Sequence, residues 1–395
     1  MNIGLSTSVI QRGKSGIARY VLALIENLMP QADAHRFVLF VLEEDLPLFA
    51  FASSQMMVVP ISEKFRQPMR DIVWHQTVLP KLAYKHGLDV LHIPSYRRMP
   101  HRTPCARVAT IHDLAPFRLR GKYDRFRTFY GRVVVRVLAH RQQRIIAVSQ
   151  STADDLMRFY KLPERRITVI PNGIDHGRFS PGDPRAAREW VAQKSGIQQP
   201  FFLYVARLEH PAKNHVRLIE AFNQFKSNTG SPWKLVLGGG DWHGAEQIHR
   251  AMQESPFRKD IHSLGFIEDA VLPTWYRAAV GFVFPSLFEG FGLPPVEAMA
   301  CGCPVLSSTR GALEEAVGTA AGTIDPEDTD DLQRKLTRLA TDANWREALR
   351  EAGIQQARKF SWERVAASTM EVYKQAIVVP SPGGFPARGN LGVHP

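Results

Sequence analysis

Residues 282–308, FVFPSLFEGFGLPPVEAMACGCPVLSS, constrain the fold more than any other stretch of the chain. An apolar run ends at Pro285-Ser286, and a glycine turn follows, Glu289-Gly290-Phe291-Gly292-Leu293-Pro294. Residues 295–300 then suit a helix with proline in its first turn, and a second apolar run, 304–306, closes the unit. Strand, glycine turn, helix, strand is the plan of a ligand-binding βαβ unit. Such turns also serve plain crossovers, but here two carboxylates, Glu289 and Glu297, lie either side of the turn. A Glu at the end of a strand, beside bare amides at a helix N-terminus, can hold hydroxyls while the amides hold an anion. The ligand so described carries both hydroxyls and phosphates.

The same alternation runs through the chain. Strands are expected at 2–6, 36–42, 57–61, 90–93, 106–111, 144–148 and 167–170, with helical apolar spacing at 18–29 and an amphipathic helix over 63–85. Between the first strand and first helix lies a polar glycine loop, Gln11-Arg12-Gly13-Lys14-Ser15-Gly16. It reads as a phosphate cradle or as a surface turn, and it lacks the Walker spacing of an ATPase. The strand at 106–111 runs into His112-Asp113. A histidine there either faces the ligand crevice of an open sheet or serves the core. A helix is also expected at 152–160, capped from 149–151.

Pro171-Asn172-Gly173-Ile174-Asp175 is a turn cluster and marks a boundary between domains 1–173 and 174–361. Beyond it, a strand at 201–206 ends in Arg207, and Lys213 precedes a helix at 216–226. Two fixed cations at such a mouth would meet a diphosphate. Further strands are expected at 235–237 and 261–266, the first followed by Gly238-Gly239-Gly240-Asp241, and helices at 345–360 and 362–377. Asp328-Thr329-Asp330 matches a metal-binding pattern by its letters, but it follows Pro326 at a helix start, where acids favour the dipole. Residues 380–395, rich in Pro and Gly, read as a disordered tail. The expected class is α/β: two doubly wound, Rossmann-like domains facing a central cleft.

The charge is uneven. Residues 1–175 hold 26 Lys+Arg against 14 Asp+Glu, whereas 176–395 hold 24 of each. The excess points to an anionic partner for the first half, whether nucleic acid, an anionic membrane surface or a phosphorylated substrate. Within it, residues 117–144 carry nine Lys/Arg and one acid, interleaved with Tyr123, Phe126, Phe129 and Tyr130. That composition fits a helix on a membrane surface or a solvated helix face. Nucleic-acid signatures are lacking. Cys105, Cys301 and Cys303 lack zinc spacing, so a reduced chain without structural metal is expected. The start, Met1 to Ser6, does not read as a secretion signal, and no apolar run approaches the roughly 18 residues of a membrane span. A cytoplasmic location follows as the expectation.

Taken together, these residues resemble the retaining glycosyltransferases of family 4, which have the GT-B fold. Glu289 and Glu297, with seven residues between them, match the family's E-x7-E signature. Arg207-Leu208 with Lys213-Asn214, Pro171 to Asp175, Thr110-Ile111-His112-Asp113 and the Gly13/Gly16 loop support it in the right order over about residues 1–378. The first half looks most like bacterial mannosyl- and rhamnosyltransferases of surface polysaccharide assembly. The resemblance implies a nucleotide-sugar donor, GDP-mannose first and UDP-sugars next, and a lipid-linked saccharide or polysaccharide acceptor at the inner face of a membrane. It also implies roles. Glu289 would contact the donor sugar, the amides of Gly290, Phe291, Gly292 and Leu293 the sugar and phosphate, and Glu297 the ribose. Arg207 and Lys213 would neutralise the diphosphate in place of a metal, so no cofactor is expected. His112 would sit at the reacting sugar, and Gly13 and Gly16 near the phosphate. The helix within 362–379 would cross back onto the first domain. Two alternatives share these residues: a nucleotide-sugar epimerase or hydrolase of the same fold, and a non-catalytic anion-binding protein.

Overall fold

Phe37 to Leu42 are buried without a break, on both faces of their strand. A strand apolar on both faces belongs inside a parallel sheet covered by helices, and the computed structural model places it so. The structure describes residues 1–13, 15–118 and 129–379. Lys14, the middle of the basic segment (119–128) and the tail 380–395 lie outside the described residues.

Seven strands form the first sheet: β1 (Asn2–Ser6), β2 (Arg36–Leu42), β3 (Met57–Ile61), β4 (Val90–Ile93), β5 (Ala106–Ile111), β6 (Arg144–Ala147) and β7 (Ile167–Val169). They are parallel, in the order β3-β2-β1-β4-β5-β6-β7. Six form the second: β8 (Phe201–Val205), β9 (Lys234–Gly238), β10 (Ile261–Ser263), β11 (Gly281–Phe284), β12 (Val305–Ser308) and β13 (Gly322–Ile324). Their order, β10-β9-β8-β11-β12-β13, repeats the first pattern, again all parallel. In each sheet the winding reverses next to the first strand, between β1 and β4 and between β8 and β11. Open α/β sheets bind ligands outside the carboxyl ends of the strands at that reversal.

The chain divides into two compact units, Met1–Gly173 with the segment from Trp362, and Ile174–Ser361. Helix Trp362–Val378 is part of the first core. Its Trp362, Val365, Met370 and Tyr373 are buried in one cluster with Tyr20, Val21 and Leu24 of helix Gly16–Leu28.

Several local expectations change. The helix expected over 63–85 is a short 3-10 turn, Glu63–Arg66, then helices Pro68–Thr77 and Leu79–Lys85. Pro68 and Pro80 each lack an N–H and clash with the turn before them, which forces the breaks. The helix expected at 152–160 begins earlier, at Gln150. It is capped by the Ser149 side chain and widens to a π turn at Leu156–Tyr160. Strand β13 and helix Ala245–Glu254 carried no expectation. Asp328 caps helix Thr329–Thr341, accepting from the Asp330 and Asp331 amides at 2.9 Å each, which accounts for that acidic triplet without a metal. Among the described residues no helix is long and apolar enough to cross a membrane.

Candidate functional site

In the second unit, β8 delivers Arg207 and, six residues on, Lys213 at the start of helix His215–Thr229. The loop between them is tied down from several sides. The buried Tyr204 hydroxyl donates to the Lys213 carbonyl at 2.7 Å, and the Lys213 amide donates to the Glu209 carbonyl at 3.1 Å. Asn214 stands in the left-handed region at φ 61°, where its short polar side chain is tolerated. Its amide donates to the Pro285 carbonyl at 3.1 Å and the Pro326 carbonyl at 2.6 Å. Pro285 directly follows β11, so the Asn214 amide clasps the two strands of the reversal together beyond their ends.

The clasp brings Lys213 onto Glu289. Nζ donates to Oε1 at 2.5 Å, with the side chains 17% and 16% exposed. Removing either partner strands a charge largely withdrawn from water, at a cost of about 1–3 kcal/mol, below the range for a fully sealed pair. Arg207 is more open. Its side chain is 52% exposed, lies 4.6 Å over the Trp242 ring and reaches 3.6 Å from the buried Glu209 carboxylate.

After Glu289 the chain turns into helix Leu293–Ala300. Gly292 caps it at φ 101°, a backbone that favours glycine, and a Cβ there would meet Leu313 Cδ2 at 2.5 Å and push that methyl aside. Phe291 anchors the turn, packing edge-on to Phe360 at 5.4 Å. Among the described residues nothing pairs with the N–H groups of Gly290, Phe291, Gly292 and Leu293. Orphan amides at a helix start are donors that an anion can satisfy. Glu297 lies deeper, 3% exposed, with the Tyr276 hydroxyl donating to Oε2 at 3.1 Å.

At the carboxyl end of the first sheet, Gln11, Arg12 and Gly13 are successively left-handed, at φ 49°, 56° and 80°. The chain then enters helix Gly16–Leu28, where Ser15 Oγ accepts from the Ala18 amide at 3.1 Å. A Cβ on Gly16 would touch nothing within 4 Å, so packing does not demand that glycine. His112, one residue beyond β5, is half-buried, with Nε2 3.3 Å from the Pro94 carbonyl. Burial lowers its pKa to about 4, although Asp113 pulls it back up. Its ring meets Tyr20, from the helix that Gly16 opens, at 4.8 Å and 83°.

A second polar group occupies the same sheet end. Ser6 Oγ lies 2.8 Å from His75 Nε2, His75 Nδ1 3.1 Å from Asp71 Oδ1, and Arg98 Nε donates to Asp71 Oδ2 at 2.5 Å. Serine, histidine and aspartate in that order suggest a hydrolytic triad, but Ser6 is 1% exposed and His75 is sealed. No substrate reaches a nucleophile there, so the group acts as a buried strut.

The structure thus joins Lys213, Glu289 and the 290–293 amides into one site, with Arg207 on the same loop and Glu297 on the same helix. His112 and the Gly13/Gly16 loop share the other sheet end. The sequence reading missed Trp242 beneath Arg207, Tyr204 behind Lys213 and Tyr276 on Glu297, and it named Asn214 only as part of the family pattern. Asn214 also carried a physical signal, as a residue type that tolerates positive φ directly after the lysine. The three cysteines are free and buried, and burial pushes Cys105 and Cys301 up to about 12. Among the described residues no group of three or more His, Cys, Asp or Glu could hold a metal ion.

Two family models divide the chain between them: "Glycosyltransferase Family 4" matches residues 14–178 and "Glycosyl transferases group 1" matches 188–356. Both are glycosyltransferase models, and the chain carries a domain of each. It is similar to the O-antigen chain mannosyltransferase B of Escherichia coli, 28% identical over 393 residues, covering 95% of this chain and all of that one. Among solved structures, sucrose-phosphate synthase from Thermosynechococcus elongatus superposes with a TM-score of 0.76 at 21% identity, over 95% of this chain and 98% of that one. Anabaena HepE in complex with UDP and glucose superposes with a TM-score of 0.74 at 20% identity, over 95% and 99%. These likenesses establish the GT-B fold, and the family matches make this glycosyltransferase an enzyme that transfers a sugar.

Proposed function

We propose that the enzyme is a retaining, metal-independent hexosyltransferase. It moves mannose from GDP-mannose, or a hexose from a UDP-sugar, to a lipid-linked saccharide or polysaccharide. One observation carries the reading: Lys213 is held on Glu289 beside four orphan amides at the reversal of the second sheet. Support for mannose comes from the E. coli relative, a mannosyltransferase by name that acts on the O-antigen chain. The uridine alternative is kept by HepE, whose structure holds UDP and glucose.

The chemistry follows from charge. As the bond from the sugar's anomeric carbon to the phosphate breaks, positive charge grows on the sugar and negative charge on the departing diphosphate. Fixed donors aimed where that charge develops lower the barrier most. Arg207, Lys213 and the 290–293 amides supply them. Glu289, charged and paired with Lys213, orients the sugar hydroxyls and favours the cationic sugar. An acceptor hydroxyl enters on the same face, and its proton passes to the departing phosphate oxygen. Glu297 holds the ribose, the Gly13/Gly16 loop offers backbone to the phosphate, and His112 contacts the reacting sugar as a neutral imidazole.

A contact of the first unit with an anionic membrane surface completes the proposal. Exposed Phe129, Val133 and Val137 follow one another at helical spacing, alternating with exposed Arg132 and Arg136. Sedimentation with vesicles of neutral lipid, and of neutral lipid plus phosphatidylglycerol, checks this contact. Equal recovery on both removes it. A thermal-shift panel of nucleotides and nucleotide sugars tests the donor. The cognate donor at about 100 times its Kd adds about 2.7 kcal/mol of stability. No response to any guanosine or uridine diphosphate sugar would sink the reading.

A further inference from the structure

Four sealed polar side chains form one line through the first unit. Tyr373, on helix Trp362–Val378, places its hydroxyl 2.8 Å from His92 Nδ1 on β4. His92 Nε2 lies 2.8 Å from Thr110 Oγ1 on β5, and that oxygen lies 3.0 Å from the Tyr20 hydroxyl on helix Gly16–Leu28. None of the four is more than 1% exposed. The Tyr20 ring then stands edge-on between the Trp362 ring, at 5.7 Å, and the His112 ring, at 4.8 Å.

Every bond in the line can be made. Burial lowers the His92 pKa to about 3, so its imidazole is neutral and has one N–H and one lone pair. Each hydroxyl has one hydrogen to give. All three bonds can then be made at once, with His92 donating from one nitrogen and accepting at the other, and with Thr110 free to give its hydrogen or to accept twice. Apolar residues of the same shape would serve a core equally well or better. What a bonded line adds is geometric: it ties down the Tyr20 hydroxyl, and the Tyr20 ring stands against His112.

We propose that Tyr373, His92, Thr110 and Tyr20 are positioning residues that hold the His112 imidazole in one orientation and one neutral tautomer. In that tautomer Nε2–H donates to the Pro94 carbonyl, and Nδ1 keeps its lone pair for a substrate hydroxyl. The inference rests on the reading of His112 as a sugar-side group. The line spans 281 residues between its first two members, so helix Trp362–Val378 helps set a group at the end of β5.

The test uses the full chain with ¹⁵N-labelled imidazoles, the His112 signals being assigned by their loss in His112→Ala. In the parent chain His112 shows one protonated Nε2 and one bare Nδ1. Thr110→Val keeps the shape without the hydroxyl. It is expected to shift His112 toward a mixture of tautomers and to lower kcat about tenfold at unchanged donor KM, the scale on which small misplacements act. Thr110→Ser, which keeps the oxygen, restores both. Tyr373→Phe, at the far end, shifts the same signals. In the His112→Ala background Thr110→Val costs no further turnover, because the two act through one group. His112 signals unmoved in both Thr110→Val and Tyr373→Phe overturn the relay, whatever the rates. If the signals move while His112→Ala turns over like the parent, the relay stands and the catalytic reading of His112 is what fails.

Discussion

At the carboxyl end of the six-stranded sheet, Lys213 and Glu289 are ionised partners left 17% and 16% exposed, and Arg207 is half in water. At the same end of the seven-stranded sheet, His92, Thr110, Tyr20 and Tyr373 are neutral and sealed, and they end on a neutral His112. Both ends sit on the same winding pattern, so the fold does not dictate the difference. Open charges can follow a ligand's developing charge, whereas sealed neutral groups cannot respond to charge but hold a geometry. On the proposed reading, one sheet end stabilises and the other positions.

That contrast is open to attack at several points. The largest expected effect is at Lys213. Lys213→Ala removes a cation from the leaving group and strands Glu289, and kcat should fall about 10²–10³-fold, or about 3–4 kcal/mol of barrier. Steady-state kinetics with the donor identified by thermal shift checks it. A fall of less than tenfold would make the pair a structural tie. Next comes Gly292→Ala, which forces a Cβ against Leu313 in a left-handed backbone. About 2–3 kcal/mol of stability should be lost, read as a shift in the urea midpoint.

An acid titration separates the two units. His92 and His112 fall to about 3 and 4 in the folded first unit, and His215 to about 3 in the second, all through burial. A histidine with a depressed folded pKa is neutral when folded and takes a proton when unfolded. Its contribution is therefore complete above about 6.5 and is lost as the pH falls toward 4. These two large shifts against one, with His35, His86 and His101 also lowered in the first unit and His262 in the second, predict that amide protection drops further between pH 7 and pH 5 in the seven-stranded sheet than in the six-stranded one. Hydrogen exchange followed strand by strand reads this directly, and equal losses would contradict it. The smallest effect is at Trp242, the platform under Arg207. Trp242→Ala should cost about 0.5–1 kcal/mol, seen as a severalfold rise in donor KM with kcat nearly unchanged.

The sequence reading reached these two ends to different depths for a physical reason. The charged end was legible because its residue types are rare in cores and fall at fixed places after strands: Arg207 and Lys213 after one, Glu289 after another. Gly292 was legible because its backbone admits no other residue cheaply. The sealed end was not. His92 and Tyr373 look like any residues of a buried strand and an amphipathic helix until the fold brings positions 281 residues apart into contact. The alternation of strand and helix also showed through, since strands such as β2 are apolar on both faces. β13 reads Gly-Thr-Ile and offers no apolar run, and Pro68 and Pro80 broke a helix whose apolar spacing looked continuous.

Glu289→Gln tests the central claim most directly, because it keeps the size of the side chain and removes only its charge. The variant should still be stabilised by the nucleoside diphosphate of the donor, held by Arg207, Glu297 and the 290–293 amides. Sugar transfer should fall by about 10²-fold or more, on the scale of losing one electrostatic contact to the transition state. Transfer at the parent rate, with the nucleotide still bound, would contradict the placing of the reaction at Glu289.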